Sequence, residues 1–297
     1  MLGLLINGKE IKEAGLINHP YKLLIVDIDG TLVCKDGTIS AADREALAEV
    51  RRSGVQVSLS TGRVAQSCLG IIEELSLDGH HIFFDGALVG DADGGEEVYA
   101  QPLNGEVVKL AIEFVRSNDI YLELYTSARY FVERETWSAT VHREFFGIEP
   151  TVMGFATLCD KERIIKGELF ASSPQEEAEA KSFQNQFDGR LRFSWAMTPA
   201  YPGAHFVNVL APGVSKGKAA EALVSHLGIS MSEVIAIGDG TNDIPLLSSA
   251  GLAVAMGSAR DEVKAVTDYV TLDVEHSAAW RRRLRGFWGR SAYFDEK

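Results

Sequence analysis

The apolar positions of this chain fall into two textures. Leu23-Leu24-Ile25-Val26 are four consecutive apolar residues, the pattern of a strand buried on both faces inside a parallel sheet. Similar runs stand at 55–60, 81–84, 206–210, 234–237 and 252–256. Helical stretches lie between them: one capped by Ser40 and ending near Ser53-Gly54, one over 64–75, and one that follows Gly213-Val214-Ser215-Lys216-Gly217 and runs to Leu227. Strand, helix and strand within about thirty residues make a right-handed βαβ unit. Between 101 and 204 the pattern changes. Helical 104–117 leads to paired strands at 120–126 and 130–135, a helical stretch at 136–146, strands at 151–155 and 164–172, an acidic helix at 174–187 and a strand at 191–196. Hairpins mixed with helices form an α+β module. The predicted fold is therefore α/β: a doubly wound, mainly parallel sheet built from residues 1–100 and 205–297, with an α+β domain inserted at 101–204. Pro102 and the run Thr198-Pro199-Ala200-Tyr201-Pro202-Gly203 are the expected hinges.

The polar residues that end these strands carry the chemistry. The first strand runs directly into Asp27-Ile28-Asp29-Gly30-Thr31. Two acids there are costly to bury unless a cation meets them, and the carboxyl ends of strands are where open α/β sheets bind ligands. In an extended chain, residues two apart point the same way, so Asp27 and Asp29 are expected to converge. Gly30 permits an immediate sharp turn. Other strand ends and helix starts carry Thr61-Gly62-Arg63, Val214-Ser215-Lys216-Gly217-Lys218 and Gly238-Asp239-Gly240-Thr241-Asn242-Asp243. The last is not a dinucleotide fingerprint, because Asp243 stands where the third glycine belongs. The Lys216 loop is not a Walker loop, because Pro212 replaces its first glycine. Asp91-Ala92-Asp93-Gly94-Gly95 lacks EF-hand spacing and reads as a hairpin tip.

Composition narrows the partners. The chain has 297 residues, 46% of them apolar, enough for two domains. Its net charge of −13 argues against nucleic-acid binding and means that a phosphate site needs local cations. Three scattered cysteines form neither a disulfide framework nor a zinc site. No apolar run reaches membrane-spanning length. Lys9, Glu10, Lys12 and Glu13 argue against a signal peptide, and residues 1–20 carry no readable motif. A soluble cytoplasmic protein without a membrane partner is expected; oligomeric state is not legible. His80-His81 shows no partner ligand at metal spacing in the sequence. The basic-aromatic segment 280–288 is expected to pack as a C-terminal helix, and Tyr125, Arg129, Tyr130 and Lys166 to line a solvated face rather than read a substrate.

The run Asp27-Ile28-Asp29-Gly30-Thr31, followed in order by Thr61, Lys216 and Asp239/Asp243, resembles the four motifs of the haloacid dehalogenase superfamily of phosphotransferases. Ser60-Thr61-Gly62-Arg63, Val214-Ser215-Lys216-Gly217 and Ala253-Val254-Ala255-Met256-Gly257 are similar to its Cof-like, type IIB branch. The motif match covers roughly residues 22–87 and 205–258; Asp85 and Ser258 depart from it, standing where the branch usually has Asn. The resemblance implies a Rossmann-like core, an α+β cap inserted after the third core strand, and a Mg²⁺-dependent phosphatase acting on a small phosphorylated metabolite, sugar phosphates first. It implies Asp27 as the nucleophile that forms an aspartyl phosphate, and Asp29 as acid and base. Thr61, Gly62 and Lys216 would bind the phosphoryl group. Asp27, the Asp29 carbonyl and Asp239 would hold the metal, with Asn242 and Asp243 behind them. A phosphomutase of the phosphomannomutase type, or a non-catalytic phosphate sensor or scaffold on the same fold, are the alternatives.

Overall fold

The structure, a computed structural model, describes residues 5–6, 9–10, 20–34, 36–92, 95–197 and 203–272. Residues 11–19, the tip at Asp93-Gly94, the hinge residues 198–202 and the 280–288 segment lie outside the described residues. Leu5–Ile6 pairs antiparallel with Lys9–Glu10.

The large sheet contains β1 (Leu23–Asp27), β2 (Gln56–Ser60), β3 (His81–Phe83), β4 (Leu88–Gly90) and β5 (Glu97–Ala100), all before the insertion. It is completed after the insertion by β12 (Val234–Gly238), β13 (Leu252–Ala255) and β14 (Tyr269–Val270). Their order is β14-β13-β12-β1-β2-β3-β4-β5. The strands from β14 to β3 run parallel, and the β3-β4-β5 edge is antiparallel. β1 is central and wholly buried, which is why its sequence shows no polar alternation. One face carries Leu24, Val26, Leu59, Ile235 and Ile237 against Ala46, Leu47 and Val50 of helix α1 (Ala41–Arg52). The opposite face carries Leu23, Ile25 and Ala236, clustered with Ala219, Ala220, Leu223 and Val224 of helix α7 (Lys216–Leu227). Helix α1 starts where expected: the Ser40 hydroxyl accepts from Asp43 N–H at 3.0 Å. The helix expected over 64–75 is divided into a 3-10 turn, Ala65–Cys68, and α2 (Leu69–Glu74).

The second sheet lies mostly within the expected insertion. It comprises β6 (Glu123–Tyr125), β7 (Tyr130–Val132), β8 (Thr151–Val152), β9 (Lys166–Ala171), β10 (Arg192–Met197) and β11 (His205–Leu210), in the order β8-β7-β6-β9-β11-β10. Helices α3 (Gly105–Ser117) and α6 (Pro174–Gln186) contribute Val108, Ala111, Ile112, Ala180 and Phe183 to its apolar packing. Two shorter helices, α4 (Trp137–Val141) and α5 (Phe155–Cys159), complete it, α4 widening into a π turn over His142–Phe146.

β11 departs from expectation. The run 206–210 was expected to resume the large sheet, yet it pairs antiparallel with β9 and β10, placing Asn208 opposite Glu168 and Ser194. The chain therefore returns to the large sheet after Leu210 rather than at 205. An interior strand of either sheet reads as the same apolar run, so the pattern alone could not choose. The two crossings are tied together, because Gln101 Nε2 donates to the Pro212 carbonyl at 2.7 Å.

After β3 the chain turns through three successive positive-φ residues, Phe84 (53°), Asp85 (54°) and Gly86 (97°). A Cβ on Gly86 would collide with the Ser215 carbonyl, at the start of α7. Gly86→Ala is accordingly expected to destabilise the protein by about 1–3 kcal/mol. Gly70→Ala, in an exposed helical position with nothing within 4 Å of the added methyl, should be neutral or stabilising by up to ~1 kcal/mol. Urea unfolding of both variants checks the pair.

Candidate active site

Parallel register brings the carboxyl ends of β1, β2 and β12 side by side, with Asp27 opposite Ser60 and Val26 opposite Ile237. Lys216, the first residue of α7, enters this corner from across the chain. Its ammonium is fully buried and donates to Asp27 Oδ1 at 2.6 Å, Asp243 Oδ1 at 2.6 Å and the Ser60 carbonyl at 3.1 Å. An ammonium has three protons, and here each finds an acceptor. Lys218, a second cation of the same loop, does not share these contacts.

Asp243 is held at both oxygens: Oδ2 accepts from the backbone N–H groups of Asp239 and Gly240 at 3.1 and 2.9 Å. That turn needs Gly238, whose Cβ would lie 2.5 Å from Asp243 Oδ2. Asp239 accepts from the Thr31 hydroxyl at 3.0 Å. Gly30 serves the same corner: its φ is +88°, and a Cβ would sit 2.5 Å from Asp239 Oδ2. The carboxylates of Asp27, Asp239 and Asp243 converge, with ligand atoms all within 4.8 Å of one another.

The electrostatics follow from burial. Desolvation pushes the Asp27 carboxyl well above the usual range; Lys216 opposes this, while Asp243 and Asp239 reinforce it. Burial and then Asp243 push Asp239 up to about 6. Burial works against the Lys216 ammonium, but Asp243 and Asp27 outweigh it and hold its pKa above the ordinary lysine value. Three carboxylates against one ammonium leave an excess of negative charge, so the corner is chemically suited to a hard divalent cation. Asp243 spends both oxygens on Lys216 and two N–H groups, which makes Asp27 and Asp239 the better placed side-chain ligands.

Thr61 is buried, and its hydroxyl accepts from Arg63 N–H at 3.1 Å. Gly62 lies against Asp85, 3.1 Å from Oδ1 to its Cβ position. Asp29 does not join the Asp27 cluster. β1 ends at Asp27, so the alternation expected to bring the two acids together stops there, and the Asp29 side chain is 59% exposed. Arg63 grips it with a fork, Nε to Oδ2 at 2.9 Å and Nη2 to Oδ1 at 2.5 Å. The same guanidinium lies 5.6 Å from the ring centre of Phe146, in the segment after α4. Asn242 donates to Asp85 Oδ1 at 2.8 Å. Sequence motifs alone assign neither Arg63 nor Asp85 this role. A cation following Thr61-Gly62 was the available signal for Arg63; the Asn242–Asp85 bond spans 157 residues and left no local trace.

Three of the residues expected on a solvated face, Tyr125, Tyr130 and Lys166, are instead buried. Tyr125 Oη donates within a cluster, 2.6 Å from Glu123 Oε2 and 2.7 Å from Glu168 Oε2. Lys166 Nζ donates to Glu168 Oε1 at 3.0 Å, and His142 Nε2 lies 2.9 Å from Glu123 Oε2. The Tyr125 ring meets Phe84 edge to face at 6.0 Å, joining this cluster to the strained turn beside Asp85. Tyr130 is buried beside it, stacked on Tyr125; Arg129 remains exposed, near Glu162.

The charge balance yields a prediction. Lys216→Met leaves buried carboxylates without their cation and should cost about 3–5 kcal/mol. Asp239→Asn removes one repelling charge while keeping an acceptor for Thr31, so it should stabilise the protein. Urea unfolding at pH 7 in the presence of a chelator measures both; destabilisation by Asp239→Asn would contradict the charge excess.

A family model described as haloacid dehalogenase-like hydrolase matches residues 24–281. The chain is 27% identical over 278 residues to the phosphatase YwpJ of Bacillus subtilis, covering 87% of this chain and 97% of that protein. It is 28% identical over 253 residues to an HMP-PP phosphatase of Yersinia pseudotuberculosis, covering 82% of this chain and 86% of the other. Among solved structures, the HAD subclass IIB sugar phosphatase BT4131 superposes with a TM-score of 0.72 at 28% identity, over 90% of this chain and 99% of that one. The chain belongs to the haloacid dehalogenase-like hydrolases.

Proposed function

We propose that this protein is a Mg²⁺-dependent phosphatase that hydrolyses a small phosphorylated metabolite, sugar phosphates foremost, through an aspartyl phosphate on Asp27. The observation that carries the reading is the pinned carboxylate: Asp27 sits at the end of the central strand, buried, fixed by Lys216 and adjacent to Asp239. The names of the relatives, a sugar phosphatase and an HMP-PP phosphatase, support the substrate class. A divalent cation held by Asp27, the Asp29 carbonyl and Asp239 would neutralise repulsion between the carboxylate nucleophile and a phosphate dianion.

In this reading Asp27 Oδ attacks phosphorus, and the bond to the leaving oxygen breaks as that oxygen takes a proton from Asp29. Asp29 then takes a proton from water as its oxygen attacks the aspartyl phosphate, releasing inorganic phosphate and restoring Asp27. Lys216 fixes the nucleophile and adds positive charge where the phosphoryl oxygens gather. Thr61 already accepts from Arg63 N–H, so its own O–H is available to donate to those oxygens, with the Gly62 backbone beside it. Arg63 is a positioning residue for Asp29, which must loosen the fork to reach a leaving group. The second sheet and its helices act as the cap, with crossings at 101–104 and 211–214. The Arg63–Phe146 contact makes cap position a determinant of how Asp29 is held.

Separating the two aspartates tests the proposal. Asp27→Asn should abolish covalent phosphorylation with every ester. Asp29→Asn should lose about 10²–10⁴-fold on an alkyl phosphate, whose alkoxide needs the proton, and much less on an aryl phosphate. Because the second step still needs a base, the aryl ester should give a burst near one equivalent of phenol and then slow turnover. Equal losses on both esters, with no burst and no phosphoenzyme by mass spectrometry, would remove Asp29 from this role.

A further inference from the structure

At the opposite end of α7 from Lys216, three side chains distant in sequence meet. His80 precedes β3, Glu96 precedes β5, and His226 lies in the last turn of α7. The His80 and His226 rings are 4.8 Å apart between centres and nearly perpendicular, at 84°. His80 Nε2 is 3.2 Å from Glu96 Oε2. One ligand atom from each of the three lies within 4.8 Å of the other two. We propose that His80, Glu96 and His226 form a second metal site, for a nitrogen-preferring divalent ion of the Zn²⁺ class.

The donor set selects the ion. Two imidazoles and one carboxylate suit Zn²⁺, Co²⁺ or Ni²⁺, whereas Mg²⁺ favours oxygen donors such as the Asp27 corner. Four ligands about 2.0 Å from zinc stand roughly 3.3 Å apart. Side-chain rotations of about an ångström would therefore close the cluster around the ion, leaving the fourth position to water. The backbone under the ligands is already set. Asp91 accepts from the N–H groups of Gly95 and Glu96 at 2.7 and 3.0 Å, fixing the Glu96 end of the hairpin. His81 turns inward and accepts from Leu59 N–H through Nδ1 at 3.2 Å, which commits the neighbouring His80 to the other side of the chain. His226 occupies the helix end whose carbonyl groups favour a cation. Glu96 and His226 are exposed, so the ion can enter from solvent.

A bound ion would cross-brace the strand that leads into the crossing at 101 and the helix that presents Lys216. It would do so about 15 Å along the helix from Lys216, the rise over the ten residues that separate it from His226. Its expected consequence is added stability without participation in phosphate chemistry.

The test uses the full chain in saturating Mg²⁺, titrated with Zn²⁺ by calorimetry. Wild type and Asp239→Asn should bind one Zn²⁺ per chain with the same affinity, and both should melt at higher temperature when it is bound. The double variant His80→Gln/His226→Gln should bind at least about tenfold more weakly and lose that thermal shift. Independently of any variant, Zn²⁺ should move the ring NMR signals of two of the seven histidines. Zn²⁺ binding that survives unchanged in the double variant, that vanishes in Asp239→Asn, or that perturbs no histidine signal would overturn the site.

Discussion

The structure turns on one buried ammonium. Lys216 has no water to solvate it, so its three protons must meet three acceptors, and those acceptors come from three separate parts of the chain. Much of the local architecture is the condition for that meeting. The carboxyl ends of β1 and β2 must lie level, so that Asp27 and the Ser60 carbonyl face the same point. Gly86 must be small enough for α7 to begin against the turn after β3, and Gly238 small enough for Asp243 to close over β12. Desolvating a charge is tolerable only when the whole set is present, which makes this corner an all-or-none arrangement.

The corner also shows how two roles are distributed over similar residues. Asp27 and Asp29 are two positions apart, yet one is sealed in the interior and the other lies at the surface in the fork of Arg63. Asp239 and Asp243 are four positions apart, yet Asp243 has both oxygens engaged while Asp239 accepts from Thr31. The same carboxylate chemistry is tuned by which donors surround each group. Between the two sheets, the Arg63–Phe146 and Phe84–Tyr125 contacts place aromatic rings of the second sheet's unit directly against the elements that shape the site.

Much of this was legible in the sequence because each strand end announces itself locally. An apolar run that stops at Asp27, a turn at Thr61-Gly62, a helix start at Lys216 and the glycine-rich run before Asp243 are all short-range signals. What was not legible depends on partners far along the chain. The run ending at Leu210 has the composition of a strand in either sheet, and only pairing with β9 and β10 decides its place. Tyr125 and Lys166 look like surface residues until Glu123, Glu168 and His142 gather around them. The separation of Asp29 from Asp27 follows from the strand ending at Asp27, two residues short of what simple alternation assumes.

The Lys216–Asp27 bond joins residues 189 positions apart, with the second sheet lying between them in sequence. During synthesis, β1 emerges long before Lys216 and before strand β12, which flanks it in the finished sheet. Local hairpins and helices of the intervening segment have their partners nearby, so they can form while the nascent chain still lacks its centre. The corner around Lys216 can thus close only once Asp243 has been made, when most of the second sheet's strands are already available. A ribosome stalled before Lys216 would display a partly built sheet with an exposed apolar edge at β1, the kind of surface that chaperones retain and that aggregation exploits.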